Sequence, residues 1–378
     1  MQIKLGDFLR EICIKTVVNN EYPVLTSSKN GIYLQSEYFN KQVASKDNTG
    51  YKIIKKGQFT YRAMSDTGEF YPNMLKCVDV GIVSPAYPVF EITNRDIIYP
   101  QYLQYFFRSN TFRYNISGLE QGSTRTSIKF NKMKNIKIKL PPLLEQKKVI
   151  MILDRVGSLI SKRQEQLKYF DELTKSLFIE MFGDIHNNKN YDYTNIEEIT
   201  SVLSGGTPDR KENKYWEGGT INWVKTTELN NNIIIETEEK ITNLGLENSS
   251  AKIIPPQSIL IAMYGQGKTR GMTGYLEVSS ATNQACACIL PSRYINQKYL
   301  WNYLILSYDK LRSMAKGGNQ PNLNVMIIKK FPVLIPPMNL QEKFVQSVSL
   351  IDKSKLAVKK SLEELEILKK SLMQKYFA

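Results

Sequence analysis

Residues 262–269 read Ala262-Met263-Tyr264-Gly265-Gln266-Gly267-Lys268-Thr269, which fits a relaxed phosphate-cradling loop, and an apolar run, Ser258-Ile259-Leu260-Ile261, precedes it. Nucleotide-binding loops of this kind open a helix at the Lys-Thr pair, so that free amides and the helix dipole meet phosphate. Here Arg270-Gly271-Met272-Thr273-Gly274 follows, a poor helix start. The other chemistry open to this stretch is a polar loop resting on the phosphates of a polyanion, with Gln266, Lys268 and Arg270 as its contacts. A second stretch, Gln121-Gly122-Ser123-Thr124-Arg125-Thr126-Ser127-Ile128-Lys129, combines flexible backbone, hydroxyls and charge. Arginine reads guanine bidentately, while hydroxyls and amides hold phosphate, so Arg125, Thr126 and Lys129 are candidates for that work. A loop 195 residues further on, Gly317-Gly318-Asn319-Gln320-Pro321-Asn322, carries Asn319 and Gln320, side chains suited to adenine. Tyr61-Arg62, at the end of an expected strand, adds Arg62 to the set.

Catalytic material is sparse. His186 is the sole histidine, too little for a histidine-based metal cluster or a catalytic triad. Pro208-Asp209 with Glu212-Asn213-Lys214 faintly echoes a nuclease site, but its acids sit in one short polar run rather than on neighbouring strands. The Pro-Pro pairs follow Leu140, Ile254 and Ile335, and none forms the Asn-Pro-Pro-aromatic or Asp-Pro-Pro-aromatic tetrad that holds adenine in amino-methyltransferases. Cys286-Ala287-Cys288 has the wrong spacing for the usual zinc or redox pairs, and its apolar neighbours point to a buried strand.

The elements that must position these loops come in two copies. Leu140-Pro141-Pro142 and Ile335-Pro336-Pro337 each lead into a charged helix, and the helices end alike, Lys175-Ser176-Leu177 then Phe182 against Lys370-Ser371-Leu372 then Phe377. Val149, Leu153, Val156, Ile160, Arg163, Leu167, Phe170, Thr174, Leu177 and Met181 step by four and three, the seam of a coiled coil. The same steps in the second copy hold Phe344, Val348, Ile351, Lys355, Val358, Leu362, Leu365, Lys369, Leu372 and Tyr376, with Lys355 and Lys369 interrupting. Before each helix lies a lobe of short strands and helices. In the first, Tyr51–Ile54, Gln58–Tyr61, Val80–Val83 and Ile136–Leu140 read as strands and Tyr102–Arg108 as a helix. In the second, Ile221–Val224 and Ser258–Ala262 read as strands and Tyr299–Leu306 as a helix.

The chain has 378 residues and a formal charge of +15, which points to a polyanionic partner. Residues 1–140 hold 20 Lys and Arg against 11 Asp and Glu, so the first lobe carries most of the surplus. Met1-Gln2-Ile3-Lys4 does not open a signal peptide and no apolar run reaches membrane-spanning length, so a cytoplasmic protein is expected.

Over its whole length this pattern resembles the specificity subunit of type I restriction–modification systems. The first lobe carries Tyr22-Pro23-Val24-Leu25, Gly31 and Tyr51-Lys52-Ile53-Ile54 with Gly57-Gln58-Phe59; the second carries Leu203-Ser204-Gly205-Gly206-Thr207-Pro208, Ile259-Leu260-Ile261, Asn283-Gln284 and Gly317-Gly318. Each lobe closes on the Pro-Pro signature, followed by Glu145-Gln146 in the first copy and Leu340-Gln341 in the second, a departure that leaves the second helix start less firmly specified. The resemblance implies an α+β chain of two α/β target-recognition domains, 1–142 and 184–337, joined by two long antiparallel coiled-coil helices, 143–183 and 338–378, duplicated about a pseudo-two-fold axis. Each domain would read half of a split site on double-stranded DNA. The resemblance also implies two methyltransferase (modification) subunits that bind S-adenosylmethionine, and restriction/translocase subunits that use ATP and Mg, with no cofactor in this chain. Two rival readings are a P-loop nucleotide-binding protein and a purely structural coiled-coil scaffold.

Overall fold

The computed structural model describes residues 2–39, 45–117, 119, 126–185, 187–265, 267–317 and 321–378. It divides into two units: Met1–Glu165 with Lys359–Ala378, and Gln166–Val358. The division cuts both long helices, Leu143–Phe182 and Met338–Phe377, so each unit owns one half of each.

The first unit is organised by a four-stranded antiparallel sheet, ordered Leu9–Ile12, Val89–Ile92, Phe59–Thr60, Asn73–Met74. Phe90 pairs with Phe59 across it, and their rings stack at 5.5 Å. Tyr102, Leu103 and Phe106 of the helix Pro100–Phe106 are buried in the same core. The lobe closes when Gln2–Lys4 pairs antiparallel with Lys137–Lys139, in register Ile3 to Ile138. The alternation at 136–140 thus does mark a half-buried strand, the lobe's last.

The second unit has a five-stranded sheet, ordered Val202–Ser204, Cys286–Ile289, Ile259–Ala262, Thr273–Leu276, Asn232–Ile234. Only its last pair is parallel. Cys286 and Cys288 sit fully buried in a central strand, as their neighbours implied. Closure repeats that of the first lobe: Tyr193–Asn195 pairs antiparallel with Pro332–Leu334.

After each closing strand a Pro-Pro pair stops the ladder, because proline lacks the amide a strand needs. The long helices then begin, at Leu143 and at Met338. What repeats mechanically is the glutamine. Gln146 is fully buried; its carbonyl oxygen accepts from the Tyr99 amide at 2.9 Å, and its amide donates to Ile97 O at 2.8 Å and Pro141 O at 2.9 Å. Gln341, equally buried, accepts from the Asn296 amide at 2.9 Å and donates to Pro336 O at 2.8 Å. Each glutamine ties the Pro-Pro turn to the start of the short core helix, Pro100–Phe106 or Gln297–Leu306. The departure at Leu340 therefore does not blur the second helix start, since Glu145 of the first copy is an exposed residue and the buried clamp is kept.

The helix ends repeat as well. Phe377 packs on Tyr102 at 4.8 Å in the first unit, and Phe182 on Tyr299 at 5.5 Å in the second. The chain's last residues thus return to the first lobe, and Gln2, Phe377 and Ala378 line one cleft there. None of the twenty seam positions is exposed. The interruption at Lys355 is answered by Asp171 at 2.6 Å within the second unit. Gly183 stops the first helix with φ +84°, its amide bonded to Ile179 O at 2.8 Å.

Candidate nucleic-acid interface

In the first lobe the candidate residues converge through a short ladder. Thr126–Ser127 pairs antiparallel with Met64–Ser65, and the Thr126 hydroxyl donates to Ser65 O at 3.1 Å. Ile128 N bonds Ala63 O at 3.1 Å, and the buried Tyr61 hydroxyl donates to Ile128 O at 3.2 Å. Continued in the same register, this stitching sets Arg62 opposite Lys129, while Thr126 faces Ser65. Arg62 is exposed and lies 3.9 Å from Asp66. Lys129, also exposed, follows directly at the entrance to the short helix Phe130–Met133. Arg125 lies outside the described residues. Arg62, Ser65 and Tyr71 line a cleft of about 690 Å³.

In the second lobe residues 263–272 join two antiparallel strands, Ile259–Ala262 and Thr273–Leu276. No helix begins at Lys268-Thr269, so the loop cannot present the helix terminus that a P-loop requires. Its glycines serve the turn instead. Gly267 has φ +62° and Gly271 φ +87°, conformations that side chains disfavour. A β-carbon at Gly271 would also meet Arg312 Cγ at 3.1 Å. Lys268 is exposed. Arg270 is half-buried, and its guanidinium donates to Pro321 O. Leu323 N bonds Met263 O at 3.0 Å, which joins this loop to the segment carrying the Asn319 and Gln320 candidates. Gln266, Asn319 and Gln320 themselves lie outside the described residues, as does His186.

Two residues that sequence reasoning missed hold this loop pair. Arg312 donates to Arg270 O at 2.7 Å, Gly267 O at 2.8 Å and the Tyr308 hydroxyl at 2.9 Å, while Tyr308 donates to Lys268 O at 2.6 Å. Their spacing of four on the helix Tyr308–Ser313 puts them on one face. Nothing in the local sequence marked that face as facing a loop some 40 residues upstream.

The acids near Pro208 are spent elsewhere. Asp209 Oδ1 accepts from the Lys211 amide at 3.0 Å, Glu212 pairs with Lys214 at 3.1 Å, and Arg210 lies over the rings of Trp216 and Trp223 at 3.8 and 4.7 Å. Among the described residues no group of three or more His, Cys, Asp or Glu could hold a metal ion. The buried thiols are poor nucleophiles, since burial pushes Cys286 up to about 12 and raises Cys288 as well.

Two lobes of mixed strand and helix, each closed onto halves of the same two helices, define a duplicated fold on a helical frame. The chain belongs to the family described as the type I restriction modification DNA specificity domain, whose model matches residues 4–169 and 188–367. It is 24% identical over 272 residues to the type I restriction enzyme MjaIX specificity subunit of Methanocaldococcus jannaschii, covering 67% of this chain and 62% of that subunit. It is 24% identical over 217 residues to the EcoR124I/EcoR124II specificity subunit of Escherichia coli, covering 55% of this chain and 52% of that one. The matches thus span between half and two thirds of the length of these relatives. With the HindI specificity subunit of Haemophilus influenzae the identity is 20% and the coverage 93% of both. The fold matches the S subunit of a type I restriction–modification system from M. genitalium, with a TM-score of 0.59 at 15% identity over 100% of this chain and 96% of that one. A chain from a structure of type I R-M complex assembly and conformational transition matches with a TM-score of 0.64 at 17% identity, over 100% of this chain and 97% of that one.

Proposed function

We propose that the chain is the DNA-recognition and scaffold subunit of a type I restriction–modification complex, and is not itself an enzyme. The carrying observation is a frame conserved between the two halves down to the Gln146 and Gln341 clamps, while the loops it presents differ. Such a molecule reads two unlike half-sites with one mounting. Residues 1–142 and 184–337 act as the two target-recognition domains, and 143–183 and 338–378 as the spacer helices. Arg62, Arg125, Thr126 and Lys129 serve the first half-site; Gln266, Lys268, Arg270, Asn319 and Gln320 serve the second. The lobe-one surplus of positive charge supports the same reading through attraction to the DNA backbone. Two equivalent surfaces on the repeated frame suit two modification subunits, which supply S-adenosylmethionine chemistry, with restriction subunits adding ATP- and Mg-dependent work. Among the described residues no helix is long and apolar enough to cross a membrane.

The test is co-expression with candidate modification subunits, followed by methylation mapping of the host genome. A bipartite motif that appears only when this chain is present is expected, with two modification subunits per chain. A fully active complex with one modification subunit, or methylation by the chain alone, would overturn the reading.

A further inference from the structure

A second cleft of the first unit, about 1180 Å³, is bordered by Lys29, Tyr71, Asn73, Arg108 and Arg113. Three cations gather on one ring there: Arg108, Arg113 and Lys29 lie 5.0, 5.8 and 5.9 Å from the Tyr71 centroid. Glu69 answers part of that charge, 3.7 Å from Arg113 and accepting from the Tyr71 hydroxyl. Arg108 is the most constrained of the three. Its Nη2 donates to Asn73 Oδ1, while its Nη1 is buried without a hydrogen-bond partner. Asn73 cannot turn away, because its own amide donates to Ser27 Oγ, Ser28 O and Tyr71 O at 2.9, 2.8 and 3.0 Å. Burial, with the neighbouring Arg113 charge adding to it, draws the Arg108 pKa below the usual arginine value. A desolvated guanidinium with a like charge beside it and a nitrogen to spare is stabilised by an anion.

We propose that this cleft binds a phosphate oxyanion between Arg108, Arg113 and Lys29, and that the phosphate belongs to the DNA backbone flanking the first half-site. The proposal rests on the DNA-reading function above. Planar guanidinium groups match the oxygens of a phosphate. The Arg108 nitrogen is itself covered, so binding requires the guanidinium to turn on the face of Tyr71. Continuity argues for DNA as the source: Lys29 and Tyr71 also line the smaller cleft that holds Arg62 and Ser65, the strand partner of Thr126. A backbone leaving the recognition residues runs directly onto this wall. Lys76, Lys369 and Lys370 on the rim extend the positive field against two rim carboxylates, Glu366 and Asp154, the latter engaged by the Tyr105 hydroxyl at 2.6 Å.

The experiment measures binding of the full chain to a fluorescein-labelled mixed-sequence duplex of about 40 base pairs over graded potassium chloride. Each lost phosphate contact shrinks the slope of log affinity against log salt by about 0.9. Lys29→Ala and Arg113→Ala, both at exposed side chains, should each reduce it by about that amount, and the double variant by about twice as much, with thermal unfolding unchanged. Lys29→Gln provides a second probe of the same charge should the alanine variant misfold. Wild-type slopes in the well-folded double variant overturn the proposal. Saturable binding of inorganic phosphate through these residues, with duplex slopes unchanged, would assign the cleft to a free phosphate and overturn the DNA source. Binding of a poly-glutamate peptide through them, again without effect on the duplex, would overturn it in favour of an acidic protein segment. A wild-type chain with no salt-dependent duplex affinity would remove the DNA-reading function itself, a failure distinct from the other three.

Discussion

Replacing Gln146 by leucine should destabilise the first unit far more than its place in a charged helix start suggests. The side chain is fully buried and makes three hydrogen bonds, to Tyr99 N, Ile97 O and Pro141 O. Leucine keeps the volume and strands all three backbone groups. Each buried unsatisfied group costs about 1–3 kcal/mol, and these three are only part-buried, so the low end applies. The expected loss is about 2–4 kcal/mol. Gln341→Leu strands two such groups, Asn296 N and Pro336 O, and should cost about 1 kcal/mol less, on the second unit. The chain supplies its own control. Glu145→Leu copies the residue that the second half carries at Leu340, and as an exposed substitution it should stay within about 0.5 kcal/mol. Urea unfolding read by hydrogen exchange resolves the two units, which a single global transition would blend. Exchange of the Tyr99 amide reports the broken clamp directly. The reasoning fails if Gln146→Leu and Glu145→Leu cost the same, or if the Tyr99 amide is as well protected in the variant as in the parent.

Four further outcomes follow from the same structure. A thiol reagent should label Cys13 and Cys77, which are exposed, and reach Cys286 and Cys288 only after unfolding; counting labelled thiols by mass spectrometry decides it. Burial pushes Tyr102 and Cys286 up to about 12 and also raises Tyr61, Tyr105, Tyr299 and Tyr303. The unfolded chain then binds fewer protons than the folded one above pH about 9–10, so stability present below that range should fall as pH rises toward about 12. Unfolding midpoints that do not drop across the range would contradict this. Arg125→Ala should relax methylation at one half-site and Lys268→Ala at the other, each by about 1–3 kcal/mol if the side chain reads a base; both acting on the same half-site would sink the assignment of the lobes. Inserting about seven residues near Gln164 keeps the seam in phase and adds about 10 Å of helix, so the unread spacer should grow by roughly three base pairs while both half-site sequences persist. A changed half-site with an unchanged spacer would refute that.

What the sequence revealed and what it hid separate along chain distance. The seam from Val149 to Met181 was readable because a helix writes its buried face every three or four residues, and all those positions are buried or half-buried. The closing strand at 137–139 was readable from period two. The repeat offset carries the clamp as well, but its chemistry lies in bonds from Gln146 and Gln341 to backbone more than 40 residues upstream, at the starts of the short helices. The loops behave differently. Gly265-Gln266-Gly267-Lys268-Thr269 looked like a phosphate cradle because glycine is ambiguous in sequence: it marks a tight approach to a ligand and a left-handed turn alike. Only the returning strand Thr273–Leu276 decides between them. The sequence marks Arg270 as a contact for the partner, yet one of its nitrogens is committed to Pro321, 51 residues away. Its removal therefore has two routes to lost recognition, a missing charge and a loosened loop, whereas Lys268 is exposed and has one through its side chain. Comparing Arg270→Lys with Arg270→Ala separates them. Lysine retains the charge but not the planar fork that reaches the Pro321 carbonyl. If lysine restores affinity without restoring half-site fidelity, the arginine's role at this position is to set the loop's shape.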